Sequence, residues 1–274
     1  MTEAQADLHL HTTCSDGELS PTELIHRVAA AGLKAVAITD HDTIDGLSEA
    51  MRAAKQLGIE VIAGVELSVS TRGYEIHLLG YGFDVDHAGL REHLELFRQQ
   101  RFDRAVQMVE RLNKAGIRIT FDAVLACSKG KALGRPHVAA ALQRAGYVMT
   151  RQEAFARFLG PDGTAYVAKP EFPAQDALAL LHDAGGIGVL AHPSHWTPDA
   201  VIKSLIRLGL DGIETVHPSH ESWLTAFYTQ LAQRYGLVET GGSDFHGSRP
   251  QDEENLGRYT VPLSRLQLLR KRAA

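Results

Sequence analysis

Two rhythms of apolar and polar positions run along the chain. Ser20-Pro21-Thr22-Glu23 supplies an N-cap serine, a proline at the first helical position and the glutamate of a capping box. Leu24, Ile25, Val28 and Ala31 then follow at helical spacing, and Gly32 stops the helix. Ala35-Val36-Ala37-Ile38-Thr39 is an unbroken apolar run that predicts a buried strand. A helix is predicted from about Thr43 to Leu57, a strand from Glu60 to Val65, and a further strand from Tyr74 to Tyr81. The same alternation returns later in the chain. Strands are predicted at 187–191, 212–216 and 237–240, separated by helices near 173–184, 198–208 and 223–235, with a closing helix at 264–271. Short strand–helix units of this kind predict parallel strands joined by right-handed crossovers. About seven of them fit an α/β barrel smaller than the eight-unit form.

The rhythm is interrupted once. From about Ala88 to Ala115 the periodicity is helical and rich in Arg, Glu and Gln, and shorter helices follow at 121–126, 136–145 and 150–159. No strand is predicted between Ile119 and Tyr166. The expected organisation is therefore a barrel formed by 1–100 and 169–274, with 101–168 as a helical insertion.

Composition narrows the function classes. The chain has 274 residues, 44% hydrophobic and 22% charged, as in an ordinary globular protein. Its formal net charge of -5 argues against a broadly basic nucleic-acid surface, so no DNA partner is expected. No apolar run is long enough for a membrane span, and no secretory signal is apparent. With only two cysteines, Cys14 and Cys127, a reducing, cytoplasmic location is expected. Histidine is the unusual count, at 14.

The histidines matter because of where they fall. His26, His87, His93 and His182 lie on predicted helices and are expected on solvated faces. Others stand at strand ends with carboxylates beside them: His9, His11, Asp40-His41, Glu66, His192, His217, Asp244 and His246. On a strand, alternate side chains share a face, so His9 and His11 project together. Taken alone, that pair reads as two solvated histidines on an edge strand more readily than as a metal site. In a parallel barrel, however, all C-terminal strand ends share one mouth, and residues more than two hundred positions apart would meet there.

Asp7-Leu8-His9-Leu10-His11-Thr12-Thr13, Ser15-Asp16-Gly17, Ile38-Thr39-Asp40-His41-Asp42, Gly64-Val65-Glu66, Ala191-His192-Pro193 and Gly242-Ser243-Asp244-Phe245-His246 resemble, in order, the motifs of the PHP (polymerase and histidinol phosphatase) superfamily. The resemblance implies a distorted (βα)7 barrel with a trinuclear metal centre. By the same resemblance, His9, His11, Glu66 and Asp244 would hold one ion, Glu66, His77 and His192 a second, and Asp16, His41 and His246 a third. Within the superfamily, Gly134-Arg135-Pro136-His137 and His217-Pro218-Ser219-His220 resemble the group of 3′,5′-nucleoside bisphosphate phosphatases and 5′-to-3′ exoribonucleases.

Mixed imidazole and carboxylate ligands suit divalent Mn²⁺, Zn²⁺ or Fe²⁺; Mn²⁺ is the expected metal, and the resemblance implies up to three ions per chain. Such ions favour in-line attack by a metal-bridging hydroxide on a phosphate ester. Asp40 is a candidate catalytic residue, either orienting an imidazole or handling a proton; capping the next helix is the alternative. Arg135, His137 and Lys169 are candidates for substrate phosphate, Arg135 through a bidentate guanidinium at a helix N-terminus. The expected substrate is a nucleoside 3′,5′-bisphosphate. Short RNA, histidinol phosphate and a non-enzymatic, metal-stabilised regulatory domain are the competing readings.

Overall fold

A computed structural model describes residues 5–128 and 133–273. The strands are β1 (Gln5–Asp7), β2 (Ala35–Ile38), β3 (Glu60–Thr71), β4 (Tyr74–Tyr81), β5 (Ile187–Leu190), β6 (Gly212–Val216), β7 (Val238–Gly241) and β8 (Val261–Pro262). They form one sheet in the order β7-β6-β5-β4-β3-β2-β1-β8. Beyond the regular strands, the Leu8 amide donates to Gly241 O at 3.1 Å and Leu10 bridges Phe245 in parallel, so β1 meets β7 and the sheet nearly closes into a barrel.

The helices are α1 (Pro21–Ala30), α2 (Leu47–Leu57), α3 (Ala88–Lys114), α4 (Phe121–Ser128), α5 (Arg135–Arg144), α6 (Arg151–Ala154), α7 (Ala174–Asp183), α8 (Asp199–Arg207), α9 (Ser222–Tyr235), α10 (Asp252–Asn255) and α11 (Ser264–Ala273). α1 carries its full capping box, with Glu23 Oε2 accepting from Ser20 N at 2.8 Å. α6 runs directly into a π-turn at Phe155–Leu159.

Period-two alternation sorts the strand side chains. Val36, Ile38, Val65 and Leu67 pack outward against the helices. Ala35, Ala37, Leu79 and Val189 point into the barrel, where Leu266 and Leu269 of α11 join them from below. A separate core spans Ala105 to Val167. α3 serves both, burying Leu90, Leu94 and Phe97 with the barrel and Ala105, Met108 and Leu112 with the second core.

The expectation of parallel strands throughout is corrected at two places. β4 is antiparallel to both β3 and β5, because Arg72 (φ 52°) and Gly73 (φ 79°) turn β3 straight into β4, too short a link for a crossover. β8, two residues long and unsignalled in the sequence, is antiparallel to β1. β3 also runs six residues past the predicted Val65, so Glu66 lies within it. The predicted start of α2 at Thr43 moves to Leu47. Three of the four helix histidines have partners: His87 caps α3, His93 packs on Phe172, and His182 pairs with Asp211 at 2.7 Å.

Candidate metal centre and its surroundings

Glu66 is the hub. It is fully buried, and each carboxylate oxygen faces a different set of imidazoles. Oε2 lies 3.3 Å from His9 Nε2, 3.2 Å from His11 Nε2 and 3.2 Å from His41 Nδ1. Oε1 lies 2.7 Å from His77 Nδ1 and 2.9 Å from His192 Nε2. Asp244 Oδ1 completes the first set, at 3.4 Å from His9 Nε2 and 3.2 Å from His11 Nε2. Asp16 stands apart, with Oδ1 3.2 Å from His246 Nε2 and Oδ2 3.9 Å from His41 Nε2. All nine ligand-type residues proposed from the sequence thus meet at one end of the barrel.

The backbone is bent to achieve this. His192 (φ 27°) and Asp244 (φ 50°) adopt conformations that side-chain-bearing residues rarely take, a form of strain that persists only where surrounding structure enforces it. Gly242 is required by close approach: a Cβ there would lie 2.5 Å from both N and Cβ of His9.

Electrostatics prepare the cluster for cations. Burial alone would raise the Glu66 carboxyl, but the imidazoles of His41, His77 and His9 outweigh it and hold it well below the usual carboxylate range. Asp244 and Asp16 are held down in the same way, His246 being the principal partner of each. Burial pulls His41 down to about 3, which keeps its imidazole neutral at pH 7. At His11 burial is outweighed by the carboxylates of Asp244 and Glu66, which push the ring up to about 10, so a bound ion would have to displace that proton. His11 Nδ1, His11 Nε2, His41 Nδ1 and His77 Nδ1 are buried and make no hydrogen bond. Four subsets of the cluster have ligand atoms within 4.8 Å of one another: His11, Asp16, His41 and His246; His9, His11 and Asp244; His9, Glu66 and His192; and His41, Glu66 and His77. Orphaned nitrogens beside ionised carboxylates fit bound divalent ions.

Glu214 was not singled out from the sequence, yet it steers two of these residues. Its Oε1 lies 3.1 Å from His9 Nδ1, and its Oε2 accepts from His192 N at 2.7 Å. A carboxylate behind an imidazole fixes the tautomer and aims the opposite nitrogen at the ion. The available signal was a charged residue inside the apolar run Gly212–Val216, since a buried charge needs a partner. His217 also reaches the cluster, 3.6 Å from Asp244 Oδ2.

None of the remaining candidates, Asp40, Arg135, His137 and Lys169, lines the cavity over the cluster. Asp40 accepts from Thr12 N (2.7 Å), Thr12 Oγ1 (2.6 Å) and Ser15 Oγ (2.6 Å), so it braces the loop that carries Asp16. Lys169 lies 3.3 Å from Asp42 Oδ2, which also takes the Arg101 guanidinium. Burial would raise Asp42, but Arg101 and Lys169 hold it below the usual range. His137 accepts from Gly134 N through Nδ1 at 3.0 Å, leaving Nε2 as the ring donor. Arg135 sits over the Phe155 ring, 5.8 Å from its centroid. Burial and the neighbouring Arg135 pull Arg104 down to about 10. A cavity of about 280 Å³ opens over the cluster, lined also by Ser219 and Arg249.

Comparison with known proteins agrees with this geometry. The PHP domain model matches residues 7–155. The chain is 38% identical to a 5′-3′ exoribonuclease of Haemophilus influenzae, covering 88% of this chain and 89% of that one. It is 37% identical to a 3′,5′-nucleoside bisphosphate phosphatase of Chromobacterium violaceum, covering 89% and 87% respectively. A solved structure from Bifidobacterium adolescentis, described there as a proposed metal-dependent phosphoesterase, superposes with a TM-score of 0.90 at 30% identity over 100% of this chain and 98% of that one. A barrel mouth lined by buried imidazoles and carboxylates, on a chain with these relatives, belongs to the PHP family of metal-dependent phosphoesterases.

Proposed function

We propose that the protein removes the 3′-phosphate of nucleoside 3′,5′-bisphosphates and releases nucleoside 5′-monophosphates. The observation that carries this reading is the charge beside the cluster. Arg101 and Lys169 meet at Asp42, and Arg104 feels the charges of both Arg135 and Arg101, so cations gather where the insertion returns to the barrel. Cations gathered in this way would attract a second phosphate. Arg135, at the N-terminus of α5 and stacked on Phe155, is the guanidinium we assign to the 5′-phosphate. Lys169 contributes charge while held by Asp42, and His137 offers its Nε2 proton.

We assign the ion-holding role to His9, His11, Asp16, His41, Glu66, His77, His192, Asp244 and His246, with Mn²⁺ as the proposed metal. Bound ions of this kind lower the pKa of water and neutralise charge on phosphoryl oxygens. The chain's own part is positional. Glu214 orients His9 and His192, and Asp40 fixes the Thr12–Ser15 loop, a positioning role in place of direct proton transfer. Burial of Glu66 and the His9 and His11 rings excludes bulk water from the floor of the cavity. Cys14 and Cys127 are unpaired, in keeping with the proposed cytoplasmic location, and no helix of the described residues is long and apolar enough to cross a membrane.

A substrate panel tests the reading. Mn²⁺-loaded protein should turn over adenosine 3′,5′-bisphosphate faster than AMP or histidinol phosphate, neither of which offers a second phosphate to Arg135. Faster hydrolysis of histidinol phosphate would overturn it.

A further inference from the structure

The loop after β5 and the first turns of α9, on the far side of the mouth, carry an aromatic surface that the assignments above do not use. Trp196, four residues after His192, is 79% exposed; Trp223, four residues after the cavity-lining Ser219, is 54% exposed, and Phe227, one turn further along α9, is 50% exposed. The His195 ring links them, 4.2 Å from the Trp196 centroid and 6.4 Å from that of Trp223. Scattered exposed aromatics need no explanation, but a contiguous patch beside a catalytic cavity does.

The patch is held in place. Ser194 N donates to Thr197 Oγ1 at 3.0 Å and Thr197 N to Ser194 O at 2.9 Å, closing the turn that presents Trp196. Tyr228 Oη donates to Ser194 O at 2.9 Å, and His220 Nε2 lies 2.9 Å from Pro193 O, so the loops after β5 and β6 are bolted together. Trp223 Nε1 donates to Glu221 Oε2 at 3.0 Å. These hydrogen bonds fix large apolar rings toward solvent, a costly arrangement unless something covers them.

Position around the barrel indicates what. The insertion reaches the loops after β1 and β2, through Arg151–Glu18 and Arg101–Asp42. The aromatic segments, the loop after β5 and the start of α9 after β6, stand across the ring of strands from that basic side. A substrate anchored by its 5′-phosphate on the insertion, with its 3′-linked phosphorus at the cluster, therefore extends from that phosphorus toward the aromatic side. We propose that His195, Trp196 and Trp223 stack the base of the nucleotide on the 3′ side of the scissile phosphate, so that the site accepts a short RNA in that direction. This rests on the reading of the site as a nucleotide phosphoesterase. In the reaction the water oxygen bonds to phosphorus, the P–O3′ bond breaks, and O3′ takes up a proton. The products are a nucleoside 5′-monophosphate and a chain shortened by one residue that keeps its 5′-phosphate.

The chain contains only two tryptophans, both in this patch, so intrinsic fluorescence reports on it directly. The probe is a 5′-phosphorylated pentaribonucleotide whose first linkage is a nonhydrolysable methylphosphonate. It should quench that fluorescence, and an otherwise identical probe abasic at its second nucleotide should quench far less. Trp196→Ala should lower kcat/KM for the natural pentaribonucleotide, relative to that for adenosine 3′,5′-bisphosphate, by about tenfold, mainly through KM, with Trp196→Phe largely restoring it. An unchanged ratio, or equal quenching by the abasic probe, overturns the platform. Concentration-dependent sedimentation abolished by a Trp196→Ala/Trp223→Ala double variant would place a second protein copy there and overturn it equally. A wild-type protein that turns over neither substrate would sink the reading of the site, while the fluorescence comparison would still decide the stacking.

Discussion

Among single residues, Glu214 separates holding a ligand from being one. It is fully buried, and it contacts His9 Nδ1, on the ring edge turned away from Glu66 and Asp244, and the backbone of His192. Glu214→Gln keeps the shape but removes the charge that fixes the His9 tautomer. Metal affinity, measured against a competing chelator, should fall by about 10–100-fold. Unchanged affinity would show that His9 is oriented by packing alone. Tyr228 gives a residue-scale test of pH. Burial pushes its hydroxyl from 10.0 up to about 12. The folded value lies above the unfolded one, so the stabilising effect of the neutral phenol is complete below pH 10 and is lost as pH rises through about 12. Phenolate absorbance of the native protein should therefore show an ionisation near the top of that window that Tyr228→Phe lacks; a variant that instead loses an ionisation near pH 10 would place Tyr228 in contact with solvent.

At the scale of elements, the insertion is tied to the barrel through Asp42. That carboxylate, at positive φ (51°), accepts from Ser68 N on β3 at 2.9 Å and receives both Arg101 of α3 and Lys169. Asp42→Ala leaves two largely buried cations without their counter-charge, which should cost about 3 kcal/mol and lower Tm by about 6–10 °C. A Tm within about 2 °C of wild type would mean that the cations find other partners. Arg135→Ala tests the other end of the insertion: KM should rise about tenfold or more for adenosine 3′,5′-bisphosphate and little for an aryl phosphate, whereas equal effects would remove its anchoring role. These elements also show what could be read from residue order. α1 was legible to its caps because Ser20, Pro21, Glu23 and Gly32 each act locally. The HxH, Asp-His and Ser-Asp-Phe-His motifs were legible as one site because a barrel brings strand ends together whatever lies between them. The direction of β4 was not, although the two-residue link at Arg72–Gly73 contained it, since apolar alternation is the same in parallel and antiparallel strands. Asp42 was visible in its motif, but its partners Arg101 and Lys169 are 59 and 127 residues away and no local rule connects them.

For the whole molecule, the cluster is a cross-link. Its residues come from the ends or continuations of β1, β2, β5 and β7 and from within β3 and β4, so ions held there would join strands that the near-closed sheet otherwise connects only edge to edge. Without ions, buried imidazole nitrogens of His11, His41 and His77 go unsatisfied, a cost carried by the folded state alone. An unfolded chain has no preformed site, so metal affinity becomes folding stability. Saturating Mn²⁺ at about a hundredfold excess over Kd should add about 2.7 kcal/mol per independent site, raising Tm by about 5–10 °C over chelator-treated protein. Glu66→Ala separates this from a general salt effect. Because Glu66 faces imidazoles through both oxygens, its loss should abolish most of the Mn²⁺-dependent rise while leaving the response to Mg²⁺ or Na⁺ at equal ionic strength unchanged. An equal rise in the variant would assign the stabilisation to ions elsewhere on the surface and leave the buried imidazoles without their proposed ligand.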